Sequence, residues 1–311
     1  MGTIYFICIF ICVLFVYLHF VNELKKSNDV TIYETEYLTN TNLQETCELK
    51  QPFICKLNDF KSSSISNNSS TELKVKDCTS KNTNEYIMLS YSSFNKLIEN
   101  DKKGRYYTEK NSMLCNELLH KDFQKLNKYL RPSFTLQSTN DYIYGSKNSF
   151  IPLKYHSFSR YFLYVESGYV RVKMTPWKYG QYMNVQTDYE DFSQSSPINI
   201  WNPQPEYVDV IKNSHFIEFT VKEGSFLYIP CYWLYSIKFE GNPRLYGISY
   251  ATGMNMIVNI KMYCIHLLHK LNSDTSLLKK LDNKEVNDEI KVEDEISAPL
   301  NNEQGEIIVN L

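Results

Sequence analysis

The chain has 311 residues with 33 Lys+Arg against 35 Asp+Glu, and residues 282–311 alone carry nine acids against two lysines. Setting that end aside leaves 31 basic and 26 acidic residues, a balance of +5, which is too weak and scattered for a surface that neutralises nucleic-acid phosphates. No nucleic-acid partner is therefore expected.

Residues 1–22 hold no charged side chain, and Ile4–Phe20 is apolar apart from Cys, Tyr and His19. That length and composition predict a membrane-spanning helix. A cleaved secretory leader would begin with basic residues and end at a small-x-small site, and neither is present. The Met-Gly start suggests myristoylation, but Phe6 stands where Ser or Thr is wanted. Lys25 and Lys26 flank only the C-terminal side, which predicts a single-pass anchor with the body of the protein in the cytosol. Eight cysteines do not decide the side: in the cytosol all stay thiols, whereas in a lumen Cys47, Cys55, Cys78 and Cys115 could pair in three ways. The overlapping sequons at Asn67 and Asn68 would be used only in a lumen.

Residues 23–84 are rich in Ser, Thr, Asn and Lys and are expected to form a polar stalk with a short strand or two. The next segment, 85–253, is expected to be the folded domain. It opens with helices: Ser92–Ser93 can cap Phe94–Glu99, and Asn111–Ser112 can cap a longer helix presenting Leu114, Leu118, Leu119, Phe123, Leu126 and Leu130, ended by Arg131-Pro132. From Tyr142 onward short Tyr, Phe, Val and Ile runs alternate with turn residues. Tyr161–Glu166 and Tyr169–Met174 flank Ser167-Gly168. Phe216–Val221 and Phe226–Ile229 flank Lys222-Glu223-Gly224, and Trp233–Phe239 and Leu245–Ala251 flank Gly241-Asn242-Pro243. These predict three hairpins of an antiparallel sandwich or barrel. Residues 254–281 return to a helical pattern through Met254–Leu271, apolar over more than half its circumference, which fits packing on the domain or a homodimer contact. His266 and His269 could both face a metal, but packing explains them more simply. The acidic end, 282–311, is expected to be a disordered tail.

Residues Lys222–Ile237 read Lys-Glu-Gly-Ser-Phe-Leu-Tyr-Ile-Pro-Cys-Tyr-Trp-Leu-Tyr-Ser-Ile. This resembles the stretch P-G-D-x-L-Y-I-P-x-x-W-W-H-x-V of the JmjC/cupin-like Fe(II)/2-oxoglutarate dioxygenases, a group that includes an asparaginyl hydroxylase. Other pieces follow in family order. Gly104–Glu109 resembles the short Tyr-rich strand before the family's helical insert, and Tyr142–Gly145 with Ser149–Leu153 resembles W-I-G-x-x-G-S-x-T-P-L. Phe162–Trp177 resembles the hairpin that carries the co-substrate lysine, and Trp201–Glu206 echoes an acidic, proline-containing loop. The resemblance covers about 85–253 and implies a mostly β fold, a double-stranded β-helix or jelly roll with flanking helices.

It also implies where an iron site would lie. The family holds Fe(II) with two histidines and one carboxylate, leaving open positions for 2-oxoglutarate and oxygen. The positions matching the H-x-D/E motif hold Lys154 and His156, or Tyr155 and Ser157 in the neighbouring register. The position of the distal histidine holds Tyr235. The co-substrate threonine and lysine positions hold Ile151 and Val170. An ammonium repels Fe(II) and a phenol is a poor replacement for imidazole. The resemblance therefore implies a catalytically degenerate relative, a membrane-tethered binding or scaffold module with no iron or 2-oxoglutarate, partnered by another protein or a second copy. The abundant tyrosines, with Tyr144, Tyr155, Tyr228 and Trp233 nearest the old site, would pack a vacated pocket shut or line it. The alternative is a hydroxylase or demethylase with rearranged ligands, drawn from His156, His215, Asp188, Asp209 and Glu218.

Overall fold

A computed structural model describes residues 2–36, 38–57, 71–80, 85–189 and 192–272. The expected tail and the Asn67/Asn68 sequons lie outside them.

Among the described residues the strands are β1 (Tyr33–Thr35), β2 (Phe53–Lys56), β3 (Glu72–Asp77), β4 (Ile87–Ser90), β5 (Tyr106–Thr108), β6 (Thr135–Gly145), β7 (Phe150–Tyr155), β8 (Arg160–Thr175), β9 (Gln186–Asp188), β10 (Ser193–Ser195), β11 (Ile217–Lys222), β12 (Ser225–Pro230) and β13 (Leu234–Thr252). The helices are α1 (Gly2–Leu24), α2 (Asn40–Glu48), α3 (Tyr91–Asn100), α4 (Ser112–Glu117), α5 (His120–Leu130), α6 (Trp177–Gly180), α7 (Val208–Lys212), α8 (Gly253–Val258) and α9 (Ile260–Asn272). The protein is mostly β: one large mixed sheet, parallel only between β1 and β2, with helices on its flanks.

The three turn sequences are not hydrogen-bonded hairpins. β8 runs through Ser167-Gly168 as one strand, β13 runs through Gly241–Pro243 as another, and β11 and β12 both pair with β8 rather than with each other. Each turn is a corner. Gly168, Gly224 and Gly241 all take positive φ, near 76–77°, a backbone conformation open to glycine with little cost. The corners are stitched together, since the Gly224 N–H donates to the Val165 carbonyl at 2.9 Å. A fourth ribbon, β6 followed by β7, lies along β13 and turns at the same level, where backbone bonds join Asn148 and Ser149 to Phe239.

The corner is legible in side-chain parity. Before Gly168 the odd residues Leu163 and Val165 enter the inner core; after it the even residues Val170, Val172 and Met174 do, together with Leu227, Ile229, Ile237, Phe239 and Leu245. Successive strand side chains point to opposite faces, so the other face of the β8, β12 and β13 halves presents Phe162, Tyr164, Phe226, Tyr228, Tyr246 and Tyr250. This second face is covered by helices through Leu43, Phe94, Leu114, Phe123 and Leu130.

Within the stretch expected to be a polar stalk, the described residues 38–57 and 71–80 pack into the body. β2 pairs with β12, β3 pairs with β4 and β5, and Leu43, Cys47, Phe53, Cys55, Leu73 and Val75 are buried in the helix-covered core. Arg160 at the start of β8 donates to Gln44 and, at 2.8 Å, to Glu48, tying α2 to the sheet. The long helix expected after Asn111 is broken at Leu118–Leu119 into α4 and α5, and both leucines' neighbours Leu114 and Phe123 still reach the core. The helical run after Met254 is likewise split, with the break at Asn259 between α8 and α9. All eight cysteines are free, and Cys47, Cys55, Cys78 and Cys115 are buried.

α1 is 23 residues of which none is buried against the body. At about 1.5 Å per residue it is roughly 35 Å long, enough for a hydrocarbon layer of about 30 Å.

Candidate functional site

A cavity of about 790 Å³ opens between β6 and β13 on one side and β7 and β10 on the other. α9 contributes Tyr263, His266 and Leu267 to its wall. Lys154, His156 and Tyr235 all line it, so the three positions singled out from the sequence do converge. Lys154 and Tyr235 are register partners across β7 and β13. The Lys154 ammonium sits 5.8 Å from the Tyr235 ring centre, and the His156 ring centre is 6.2 Å from that of Tyr235. Tyr155 also lines the cavity.

Five other residues of the expected site do not line it. Ile151 and Val170 are fully buried in the inner core, opposite Ile237 and Phe239. Tyr144 packs against Phe94. Tyr228 lies under α2 and donates to the Cys47 carbonyl at 3.2 Å, and Trp233 is buried in the inner core, where its indole N–H meets no acceptor among the described residues.

Behind the cavity wall, Lys154 is tied to a buried carboxylate, Glu109. One carboxylate oxygen of Glu109 accepts from Lys154, and the other lies 3.4 Å from the Lys76 ammonium. Burial on its own would raise the Glu109 pKa, but the surrounding charges of Lys154, Lys76 and Lys110 outweigh it and hold the carboxyl below its usual range. Lys154 shows the mirror image: burial works against the ammonium, Glu109 outweighs it, and its pKa is raised. Lys154 is thus a charged group committed to a carboxylate.

Asp141 stands beside this pair. It accepts the Asn111 backbone N–H at 2.8 Å. Burial is the main cause lifting its pKa to about 6, helped by the nearby Glu109 charge and opposed by its backbone hydrogen bonds. His156 is driven the other way. Burial lowers it to about 3, and the neighbouring Lys154 adds to the effect although the Ile229 carbonyl bond resists it. The ring is therefore neutral at physiological pH. Its Nε2–H donates to the Ile229 carbonyl at 3.1 Å.

The rearranged ligand set does not assemble around His156. The His215 ring packs on Tyr179, and Glu218 accepts from Arg171 at 2.6 Å. Among the described residues no three His, Cys, Asp or Glu side chains are grouped to hold a metal. His266 and His269 instead grip Tyr189, one by donating to its carbonyl at 2.6 Å and the other by stacking on its ring.

Sequence reasoning misses Glu109, Asp141 and Lys76. Glu109 is visible there only as the last residue of a Tyr-rich strand, and its partner Lys154 is 45 positions away. Compared with family models and with curated proteins, the chain matches none.

Proposed function

We propose that the protein is a membrane-anchored binding module on a jelly-roll of degenerate dioxygenase type, whose cavity takes a small ligand in place of an iron centre. The observation carrying this reading is that Lys154, which lines the cavity beside Tyr235 and neutral His156, is committed to the buried Glu109 carboxylate. A divalent cation there would meet an ammonium, a phenol and one imidazole rather than three ligands. The four ribbons that turn a common corner around one apolar core support the jelly-roll part of the reading.

The membrane part rests on α1 and on how the body holds its end. Lys50 donates to the backbone carbonyls of Asn22 and Glu23, and the Thr252 hydroxyl bonds the Glu23 carboxylate at 3.2 Å. Lys26 lies over the rings of both Trp177 and Tyr232, at 4.5 and 4.3 Å. A leader removed after export would leave these partners without their helix, so they favour a retained anchor. The flanking lysines favour a cytosolic body.

The test is a thermal-unfolding screen of the full chain in detergent against small polar metabolites and against Fe(II) with 2-oxoglutarate. The expected hit raises Tm in the natural protein and not in Ser193→Trp, which fills the cavity. A rise with Fe(II) and 2-oxoglutarate alone would overturn the reading in favour of a hydroxylase.

A further inference from the structure

The anchored end of the body carries exposed apolar side chains that the described residues leave uncovered. Phe134 is 91 % exposed and Leu136 70 %, while Ile257 and Ile260 are 53 % and 59 % exposed. All four are tied to the end of α1. Thr135, between the first two, is the register partner of Thr252, which bonds Glu23. Leu136 also lies against Gly253, where an added methyl would come within 3.3 Å of its side chain. Ile257 is on α8, the helix that packs against α1, and Ile260 begins the helix that follows.

Scattered exposed leucines need no explanation, but a contiguous apolar patch does. Here the apolar part of α1 ends at Val21, one residue before the two whose carbonyls Lys50 caps. Position along α1 therefore fixes depth: Glu23 lies at the boundary between hydrocarbon and water, and the patch hangs from the same boundary. Lys25, Lys26 and Lys50 sit on that end as well, Lys26 lying over Trp177 and Tyr232. Basic residues with aromatic rings at the headgroup level are the usual composition of such a boundary.

We infer that Phe134, Leu136, Ile257 and Ile260 form a second membrane contact, inserting into the headgroup region beside α1 and seating the body on the bilayer. The occupant is lipid, because the patch is continuous with a helix whose exposed length already requires lipid. The inference rests on α1 being a retained membrane anchor.

The experiment reconstitutes the full chain into phospholipid vesicles containing a fluorescent phospholipid, with a photo-crosslinking amino acid at one position at a time. Phe10, in the middle of α1, reports on the anchor. Tyr169 is the negative control, because it sits at the corner, at the far end of the sheet from Thr252. Lipid adducts are expected at Phe10, Phe134, Leu136 and Ile260, with the last three roughly tenfold above Tyr169. Adduct at Phe10 with the patch positions no better than Tyr169 would overturn the second contact and leave the anchor standing. No adduct at Phe10 would overturn the anchor itself. A crosslink from the patch to a second copy of the chain would assign the patch to a dimer and also overturn the inference.

Discussion

Replacing Glu109 by Gln removes the negative charge between Lys76 and Lys154 while keeping the shape of the side chain. Both ammonium groups are then left without their carboxylate, Lys154 in the cavity wall and Lys76 behind it with a side chain only 6 % exposed. Breaking a buried ion pair by removing one partner costs about 3–5 kcal/mol, chiefly because the remaining charge is stranded. At roughly 2–4 °C per kcal/mol for a domain of this size, Tm should fall by about 10 °C. Lys154→Met added to Glu109→Gln removes one stranded charge, so about half of the loss should return. Urea unfolding read by tryptophan emission, with Trp233 buried in the inner core, measures both variants. The natural pair also carries a pH signature. The folded Glu109 pKa is depressed, so its stabilisation is complete above the unfolded value of about 4.3 and is lost as pH falls through the folded value. A cost for Glu109→Gln below about 1 kcal/mol, with no recovery in the double variant, would refute a structural ion pair at this site.

Asp141 and His156 should oppose one another as pH falls. Asp141 is raised to about 6, so the folded state gains its proton first and stability rises as pH drops from 6 toward 4. His156 is lowered to about 3, so the unfolded state gains its proton first and stability falls below about 6.5. Asp141→Asn should therefore be the more stable protein at pH 8 by about 1–3 kcal/mol, and its advantage should vanish by pH 4; an advantage independent of pH would contradict the assigned burial. At the corner, Gly168→Ala should cost about 1–2 kcal/mol from its positive φ and more from its Pro243 contact at 3.2 Å, while Gly224→Ala, with no described atom within 4 Å of its added methyl, should show the backbone cost alone. Equal losses in denaturant unfolding would count against the stitched corner. Limited proteolysis of the native chain should spare 38–57, which α2 and β2 build into the body, and Arg160→Ala should open that segment to cleavage; rapid cutting of the natural protein there would restore the stalk.

Much of the framework is legible in the sequence because it is written in local signals. α1 follows from an uninterrupted apolar run, and α5 ends where Arg131-Pro132 forbids it to continue; Lys154 on β7 and Tyr235 on β13, singled out through the family resemblance, are register partners. The corners look like hairpins in sequence since a tight reversal and a sheet corner ask for the same residues, glycines at positive φ; only the long-range pairing of β8 with β11, β12 and β13 separates the two. The segment 23–84 looks like a stalk because its apolar residues come in ones and twos among polar neighbours. Leu43, Cys47, Phe53 and Cys55 become core only through Arg160 and β12, more than a hundred positions away. The buried ion pairs are hidden for the same reason, as no local pattern marks Lys76, Glu109 and Lys154 as neighbours.

The account turns on whether the Lys154, His156 and Tyr235 site holds iron, and anaerobic titration calorimetry of the full chain in detergent with Fe(II) and 2-oxoglutarate tests that directly. No heat of binding is expected from the natural protein, with binding gained in a Lys154→His, His156→Asp, Tyr235→His variant. Stoichiometric binding by the natural protein, lost in His156→Ala, would contradict the account and make the cavity an oxygenase centre.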